Sequence, residues 1–488
     1  METISKNMVN KTKRSIKVIQ FGEGNFLRGF VDYMLDIANE KGLFDGDIVI
    51  VKPIEFGNLN LFHQQDNCYT VSLRGLVNGK KQVLNRIVTS IAEVINPYAE
   101  YTEYAELAKL STLRFVVSNT TEAGIVYDDT DRIDMKPPKS YPGKLTKFLY
   151  ERYSYFKADL TKGLIILPVE LIDDNGIYLK EDILKLSRLW KLEEDFITWM
   201  NEACVFCSTL VDRITPGFPR DEITSMWEEL GYTDNLIVTA EPFALWVIES
   251  DKDISRELPL DKAGLPVIFT DNQKPYKQRK VRILNGAHTS FALASFLAGN
   301  DYVKESMQDS DLGEFVSQTV YEEIIPTLDL PKDDLLSFAD AVKDRFENPF
   351  IKHSLLSISL NSVSKWKARC MPSFLEYMER FSKLPKHLTF SLAALMDFYT
   401  GSEIRGNVLI GHRAGIEYEI LDDSEVLEFF AEYSNKELRV YVMKVLSNTA
   451  FWDRDLTQIP NLTEIMIQDL TDIKNKGIRE TIKDLNRQ

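Results

Sequence analysis

Three polar residues in one short apolar stretch, Lys280, Asn285 and His288 of KVRILNGAHTSF, have the types that carbonyl reduction or alcohol oxidation needs. Hydride transfer to or from a secondary alcohol requires a proton donor or acceptor at the oxygen, and hydrogen-bond donors for developing alkoxide charge. A lysine serves as the first when burial or neighbouring cations bring its pKa toward neutrality. An asparagine amide and a histidine ring serve as the second. On an α-helix Lys280, Asn285 and His288 fall at roughly 0°, 140° and 80°, within one broad face. The same types also occur as a surface lysine, a capping asparagine and a core histidine, and spacing alone leaves both readings open.

A second candidate lies near the N-terminus. SIKVIQF reads as a buried strand, GEGN as a turn, and FLRGFVDYMLDIANEKG as an amphipathic helix ending at Gly42. Gly22 and Gly24 would let backbone N–H groups approach a pyrophosphate at the positive end of that helix. Phe21, Gly22, Gly24, Asn25, Phe26 and Arg28 are the expected cofactor-binding residues, with Arg28 as a cation near the phosphates. The third glycine of G-x-G-x-x-G is replaced by Leu27, so the strand-turn-helix context carries the reading. An acidic residue usually ends the second strand and binds the ribose. Here the segment is VIVKPIEF, with Lys52 near that place and Glu55 a little later, which leaves NAD and NADP undecided.

These residues need elements to hold them. A chain of 488 residues exceeds what one core usually supports, and 44% hydrophobic residues suffice for two. Short apolar runs follow the first helix at DIVIVKPI (47–54), LRFVVSNT (113–120), GLIILPVE (163–170) and NLIVTAEP (235–242). Each has the pattern of a buried strand whose C-terminal end lines a cleft. From about Pro275 the pattern turns helical in RILNGAHTSFALASFLAG, DLGEFVSQTVYEEIIPTL and HLTFSLAALMDFYTG. An α/β domain over 1–275 and a mainly α-helical substrate-binding and catalytic domain over 276–488 are expected.

The formal charge of −16 disfavours nucleic acid and anionic membrane as partners. No apolar run approaches the roughly 20 residues of a spanning helix. Four cysteines and no secretory signal suggest a reducing, cytoplasmic setting. Cys204 and Cys207 form a lone C-x-x-C without a second pair, and His63, His353, His387 and His412 are scattered, so no metal is expected.

Four ordered pieces are more specific than any one of them: FGEGNFLRGF, VDRITPG (211–217), EPFALWVIE (241–249), and K-x-x-x-x-N-x-x-H at Lys280, Asn285 and His288. Together they resemble the polyol-specific long-chain dehydrogenase/reductase family, also called the mannitol dehydrogenase family. The resemblance implies a Rossmann-type N-terminal domain, a mainly helical C-terminal domain, NAD(H) rather than NADP(H), no metal, and a small polyol or sugar acid as substrate. It also implies that Lys280 is the general acid/base, while Asn285 and His288 polarise the reacting oxygen. Where many members carry S-C-D-N, this chain has PVELIDDNG, with Glu170 and Leu171 in place of the Asp-Asn pair ahead of Asn175 and Gly176. That form, with IQFGEGNFLR and LLSISLNSVSKWKAR (355–369), is similar to the uronate-reducing branch, which interconverts D-tagaturonate and D-altronate. A uronate carboxylate needs fixed cations, and Lys365 or Arg369 is the expected site, since a guanidinium can grip it bidentately. An exposed basic helix end is the plain alternative. Asp212 is a further candidate for orienting cofactor or substrate. The rival functions are a mannitol-, fructuronate- or other polyol-type dehydrogenase, and a non-catalytic dinucleotide sensor.

Overall fold

Alternate residues of the short apolar runs face two different cores, and this alternation builds the N-terminal unit. Val18, Ile48, Ile50, Phe115, Val117, Ile165 and Leu167 enter one core, while Ile19, Phe21, Val49, Val51, Val116, Leu164 and Ile166 enter the other. A sheet apolar on both faces must be covered on both, which is the condition of parallel sheets with crossover helices. The strands are β1 (Ile16–Phe21), β2 (Asp47–Val51), β3 (Ile91–Ile95), β4 (Phe115–Ser118), β5 (Ile165–Pro168) and β6 (Val205–Phe206). They lie in the order β3-β2-β1-β4-β5-β6, all parallel. This is the Rossmann order, and its direction reverses between β1 and β4. Phe21 pairs with both Val51 and Ser118, and Ser118 with Pro168, so the residues that follow these strands emerge along one edge.

This computed structural model describes residues 1–9, 11–121, 124–401 and 403–487. The chain divides into two compact units, Met1–Arg74 with Lys81–Gln273, and Gly75–Lys80 with Lys274–Gln488. One expected strand is elsewhere than anticipated. Val238–Ala240 joins Tyr69–Val77 and Lys80–Val88 in a separate three-stranded sheet rather than lining the main one. An apolar run reports burial but not its partner, and both edges of the main sheet are already taken by β3 and β6. The EPFALWVIE piece supplies Leu245–Glu249, the middle strand of another small sheet.

The second unit is mainly helical. Ala287–Leu297 buries Ala287, Phe291, Ala292, Leu293, Ala294 and Phe296 and packs against Lys386–Phe398, itself almost wholly buried. A helix apolar all round belongs in the centre of a core. The expectation of little strand character misses an antiparallel sheet of Glu403–Arg405, Val408–Arg413 and Ile416–Ile420. Its second hairpin turns through Ala414 and Gly415, both at positive φ, as a two-residue turn matched to strand twist requires.

Candidate active site

Each candidate segment contains a π-helical turn where the sequence reading expects plain α-helix. The first helix runs through Asn25–Leu27, a π turn at Arg28–Asp32, and Tyr33–Glu40. The catalytic candidates open on a π segment, Lys280–Gly286, that continues into Ala287–Leu297. Such wide turns collect at functional sites, and here the consequence is geometric. A π turn closes after more residues than an α turn, so the angle between Asn285 and Lys280 is smaller than the about 140° that α spacing would set. His288 follows Asn285 by three residues, a same-face neighbour on a helix. The sequence-derived angles, which assume a regular α-helix, are therefore corrected across Lys280–Gly286.

In the glycine turn, Gly22 has φ +128°, and an added Cβ would lie 2.9 Å from the Asn119 carbonyl oxygen. Only glycine fits there. Gly24 caps the helix with φ −68°, and its added Cβ would meet nothing within 4 Å. No side chain caps this helix, so the first-turn amides of Asn25 and Phe26 remain available to an anion. Open space over Gly24 and unspent donors fit a dinucleotide pyrophosphate.

The other expected cofactor residues divide. Phe21 is fully buried and packs on Tyr104 and Tyr141, and Phe26 is half-buried and stacked on Phe30 at 4.9 Å. Arg28, expected as a cation near the phosphates, is buried and braces the turn. Its Nε donates to the Glu23 carbonyl at 3.1 Å, Nη1 to the Leu236 carbonyl, and Nη2 to Asn25 Oδ1 at 2.7 Å. With these bonds made, the guanidinium holds the turn. The VDRITPG piece braces the same helix. Arg213 donates to the carbonyls of Gly29, Pro242 and Phe243, and a Cβ on Gly217 would strike Asn25 Nδ2 at 2.1 Å. Two of the sequence motifs are thus one mechanical unit, which their separation in the chain conceals.

Lys52, expected as a possible 2′-phosphate ligand, is 2% exposed and its Nζ lies 2.9 Å from Glu23 Oε1. Glu170 is buried at the end of β5, where Oε1 accepts from the Thr120 amide and hydroxyl at 3.0 and 2.9 Å and Oε2 from the Ser118 hydroxyl at 3.1 Å. Burial raises its pKa while those hydrogen bonds pull the other way. It therefore ties the ends of β4 and β5, and Leu171 beside it is exposed. Asn175, also buried, donates to the carbonyls of Pro168, Glu170 and Thr209.

In the second unit Lys280, Asn285 and His288 are half-buried. Asn285 makes no side-chain hydrogen bond among the described residues. The His288 ring stacks on Phe346 at 4.1 Å and meets His353 edge-on at 5.0 Å. Its Nε2 is shut from solvent and has no partner among the described residues. Burial first, then the charges of His353, Arg345, Arg369 and Lys365, hold its pKa well below 6.5, so the ring is neutral near pH 7. His353 was a scattered histidine in the sequence, and no local spacing signals its meeting with His288.

Helix Ser362–Arg369 lies against the π segment. The Arg369 carbonyl oxygen is 3.0 Å from where a Gly286 Cβ would stand, and Cys370 Sγ is 3.5 Å from the Gly286 carbonyl oxygen. Among the described residues Arg369 makes one long hydrogen-bond contact, to Thr289 Oγ1 at 3.5 Å, and Lys365 donates to the Ile358 carbonyl at 3.0 Å. Among the described residues neither pairs with a carboxylate, whereas Lys367 pairs with Asp453 at 2.8 Å. Burial lowers the pKa of both, with Arg369 adding to the effect on Lys365.

Cys204 and Cys207 are buried free thiols in opposite cores, raised by burial to about 11 and about 12. Among the described residues no group of three His, Cys, Asp or Glu is placed to hold a metal, and no helix is long and apolar enough to cross a membrane.

Comparison with known proteins agrees with this architecture. Residues 16–262 match the mannitol dehydrogenase Rossmann domain, and residues 272–474 the mannitol dehydrogenase C-terminal domain. Altronate oxidoreductases of Escherichia coli O1:K1 and Shigella flexneri are 45% identical over 99% of this chain and 100% of their own length. Among solved structures, mannitol 2-dehydrogenase of Pseudomonas fluorescens, in a ternary complex with NAD and D-mannitol, shares the fold with a TM-score of 0.65 at 19% identity over 100% of both chains. Substrate-free D-sorbitol dehydrogenase does so with a TM-score of 0.78 at 20% identity, covering 99% of this chain and 100% of its own. With both family domains present in order and full-length relatives at this identity, the chain belongs to the mannitol dehydrogenase family of oxidoreductases.

Proposed function

We propose that this protein interconverts D-tagaturonate and D-altronate with NAD(H), and that Lys280 is its general acid/base. The observation that carries the reading is the pairing, in one packed region, of an unpartnered His288 Nε2 with two cations, Lys365 and Arg369, that have no carboxylate partner among the described residues. A keto or hydroxy acid offers the complement to both: an oxygen for the first and a carboxylate for the second. The altronate oxidoreductases at 45% identity point to the same substrate.

The bound nicotinamide supplies or accepts the hydride. In reduction, Lys280 gives a proton to the oxygen as the carbonyl carbon gains that hydride; in oxidation it takes the proton back. Asn285 donates an amide hydrogen to the same oxygen. The neutral His288 ring offers Nε2 to it, as donor or acceptor according to tautomer. Arg369, with Lys365 one turn before it, holds the carboxylate and so fixes which carbon lies beside Lys280, Asn285 and His288. Gly22, Gly24 and the first-turn amides hold the pyrophosphate. Lys52 is spent on Glu23, which favours NAD(H) over NADP(H).

The test is Lys280→Ala. Removing a positioned general acid/base is expected to lower turnover by about 10²- to 10⁴-fold, with NADH affinity, measured by direct binding, within about twofold of wild type. Unchanged turnover would remove the lysine assignment and revive the sensor reading.

A further inference from the structure

The end of β2 in a dinucleotide-binding sheet ordinarily carries the acid that accepts the adenosine ribose hydroxyls. In this chain Lys52 stands there, one residue after Val51. Its side chain is 2% exposed, and Gly57, with φ +87°, folds over the ammonium so closely that an added Cβ would lie 3.1 Å from Nζ. A lysine buried at that depth needs a counter-charge. Glu23 provides it from inside the glycine turn, with Oε1 2.9 Å from Lys52 Nζ.

The turn leaves Glu23 little freedom. Its carbonyl oxygen accepts from Arg28 Nε at 3.1 Å, and the pairing of Phe21 with Val51 sets the start of the turn beside the end of β2. The side chain is 25% exposed, and Oε2 has no hydrogen-bond partner among the described residues. A fixed carboxylate with one oxygen held and the other offered at this edge is what a ribose diol requires.

We propose that Glu23, held in place by Lys52, is the carboxylate that accepts the adenosine ribose hydroxyls and selects NAD(H) over NADP(H). The acid of the usual arrangement has moved from the second strand into the glycine turn, and the lysine that replaced it is a positioning residue. A 2′-phosphate would bring its negative charge against the Glu23 carboxylate and is refused. The inference rests on the dinucleotide reading above and adds the residue that discriminates.

The experiment is fluorescence titration of the ligand-free protein with NADH and with NADPH, for wild type, Glu23→Gln, Lys52→Met and Glu55→Gln, each checked for folding by thermal melting. Glu23→Gln keeps the shape, removes the repulsion and frees the Lys52 charge. It is expected to weaken NADH by about tenfold and tighten NADPH by about tenfold, moving their ratio about a hundredfold. Lys52→Met is expected to weaken NADH by about threefold or more without any gain for NADPH. A purely structural role for the pair would weaken both dinucleotides alike, and an unmoved ratio in Glu23→Gln overturns the proposal. A ratio shift in Glu55→Gln alone overturns it too, by assigning the ribose to that exposed acid. Wild-type protein that binds neither dinucleotide would overturn the cofactor reading itself, an outcome separate from the other two.

Discussion

Replacing Arg369 by Gln removes the proposed grip on the substrate carboxylate while disturbing little else. Among the described residues the side chain makes one long hydrogen-bond contact, to Thr289 Oγ1 at 3.5 Å, and the packing against Gly286 involves the Arg369 backbone rather than its guanidinium. Stability should therefore change by less than about 1 kcal/mol. A charge-assisted hydrogen bond in a half-buried setting contributes about 1.5–3 kcal/mol, and every 1.4 kcal/mol is about tenfold in an equilibrium constant. Lys365 remains one turn away and retains part of the field. The single variant is accordingly expected to lose about tenfold to thirtyfold in kcat/KM for tagaturonate, mostly through KM, and a variant also carrying Lys365→Gln more than about a hundredfold. Initial rates of NADH oxidation read both, with D-fructose as a substrate of the same kind that lacks the carboxylate. Equal losses on the charged and neutral substrates would show general damage rather than a carboxylate site. No loss on tagaturonate in either variant would refute the assignment outright.

The two glycines of the turn should separate folding from binding. Gly24→Ala adds a methyl into open space at an ordinary φ, so melting should hold within a degree or two, about the effect of a benign substitution, while NADH affinity falls by about tenfold or more. Gly22→Ala places Cβ at 2.9 Å from a carbonyl oxygen at φ +128°, and should cost about 2 kcal/mol or more of stability by thermal melting. His288 titrates in the unfolded chain near the usual imidazole value but well below it in the fold. The unfolded state then binds more protons below about pH 6.5, and stability is lost as pH falls through that value toward the folded pKa. His288→Gln should shrink the drop in stability between pH 7 and pH 5 by roughly 1–2 kcal/mol; denaturation at the two pH values reads it, and an unaltered drop would deny that His288 is held neutral.

What could be read from the residues depended on the range of the interaction involved. The order of strand, glycine turn and helix was legible because apolar alternation and the Gly22 and Gly24 pair are local signals. The types and spacing of Lys280, Asn285 and His288 are local as well, and they carry the proposal that Lys280→Ala tests. The π turns were not legible, because both segments keep apolar spacing compatible with an α-helix. The fate of Arg28 was hidden for a related reason. Its acceptors include the carbonyl of Leu236, more than two hundred positions away. Val238–Ala240 was legible as buried and illegible as to sheet, since hydrophobicity does not name the neighbouring strand. The missed antiparallel sheet is different. Its Ala-Gly turn and the alternation in IEYEI were present as signals and were outweighed by the helical segments around them.

Purified protein given NADH and, in separate reactions, D-tagaturonate, D-fructuronate or D-fructose tests the central claim most directly, through the rate of NADH oxidation. The account predicts fast turnover with tagaturonate and, for the other two, kcat/KM lower by about tenfold or more, the difference that one missing or misplaced charged contact makes. Preference for fructose would contradict the carboxylate site at Lys365 and Arg369, and preference for fructuronate would place the chain on a different substrate within its family.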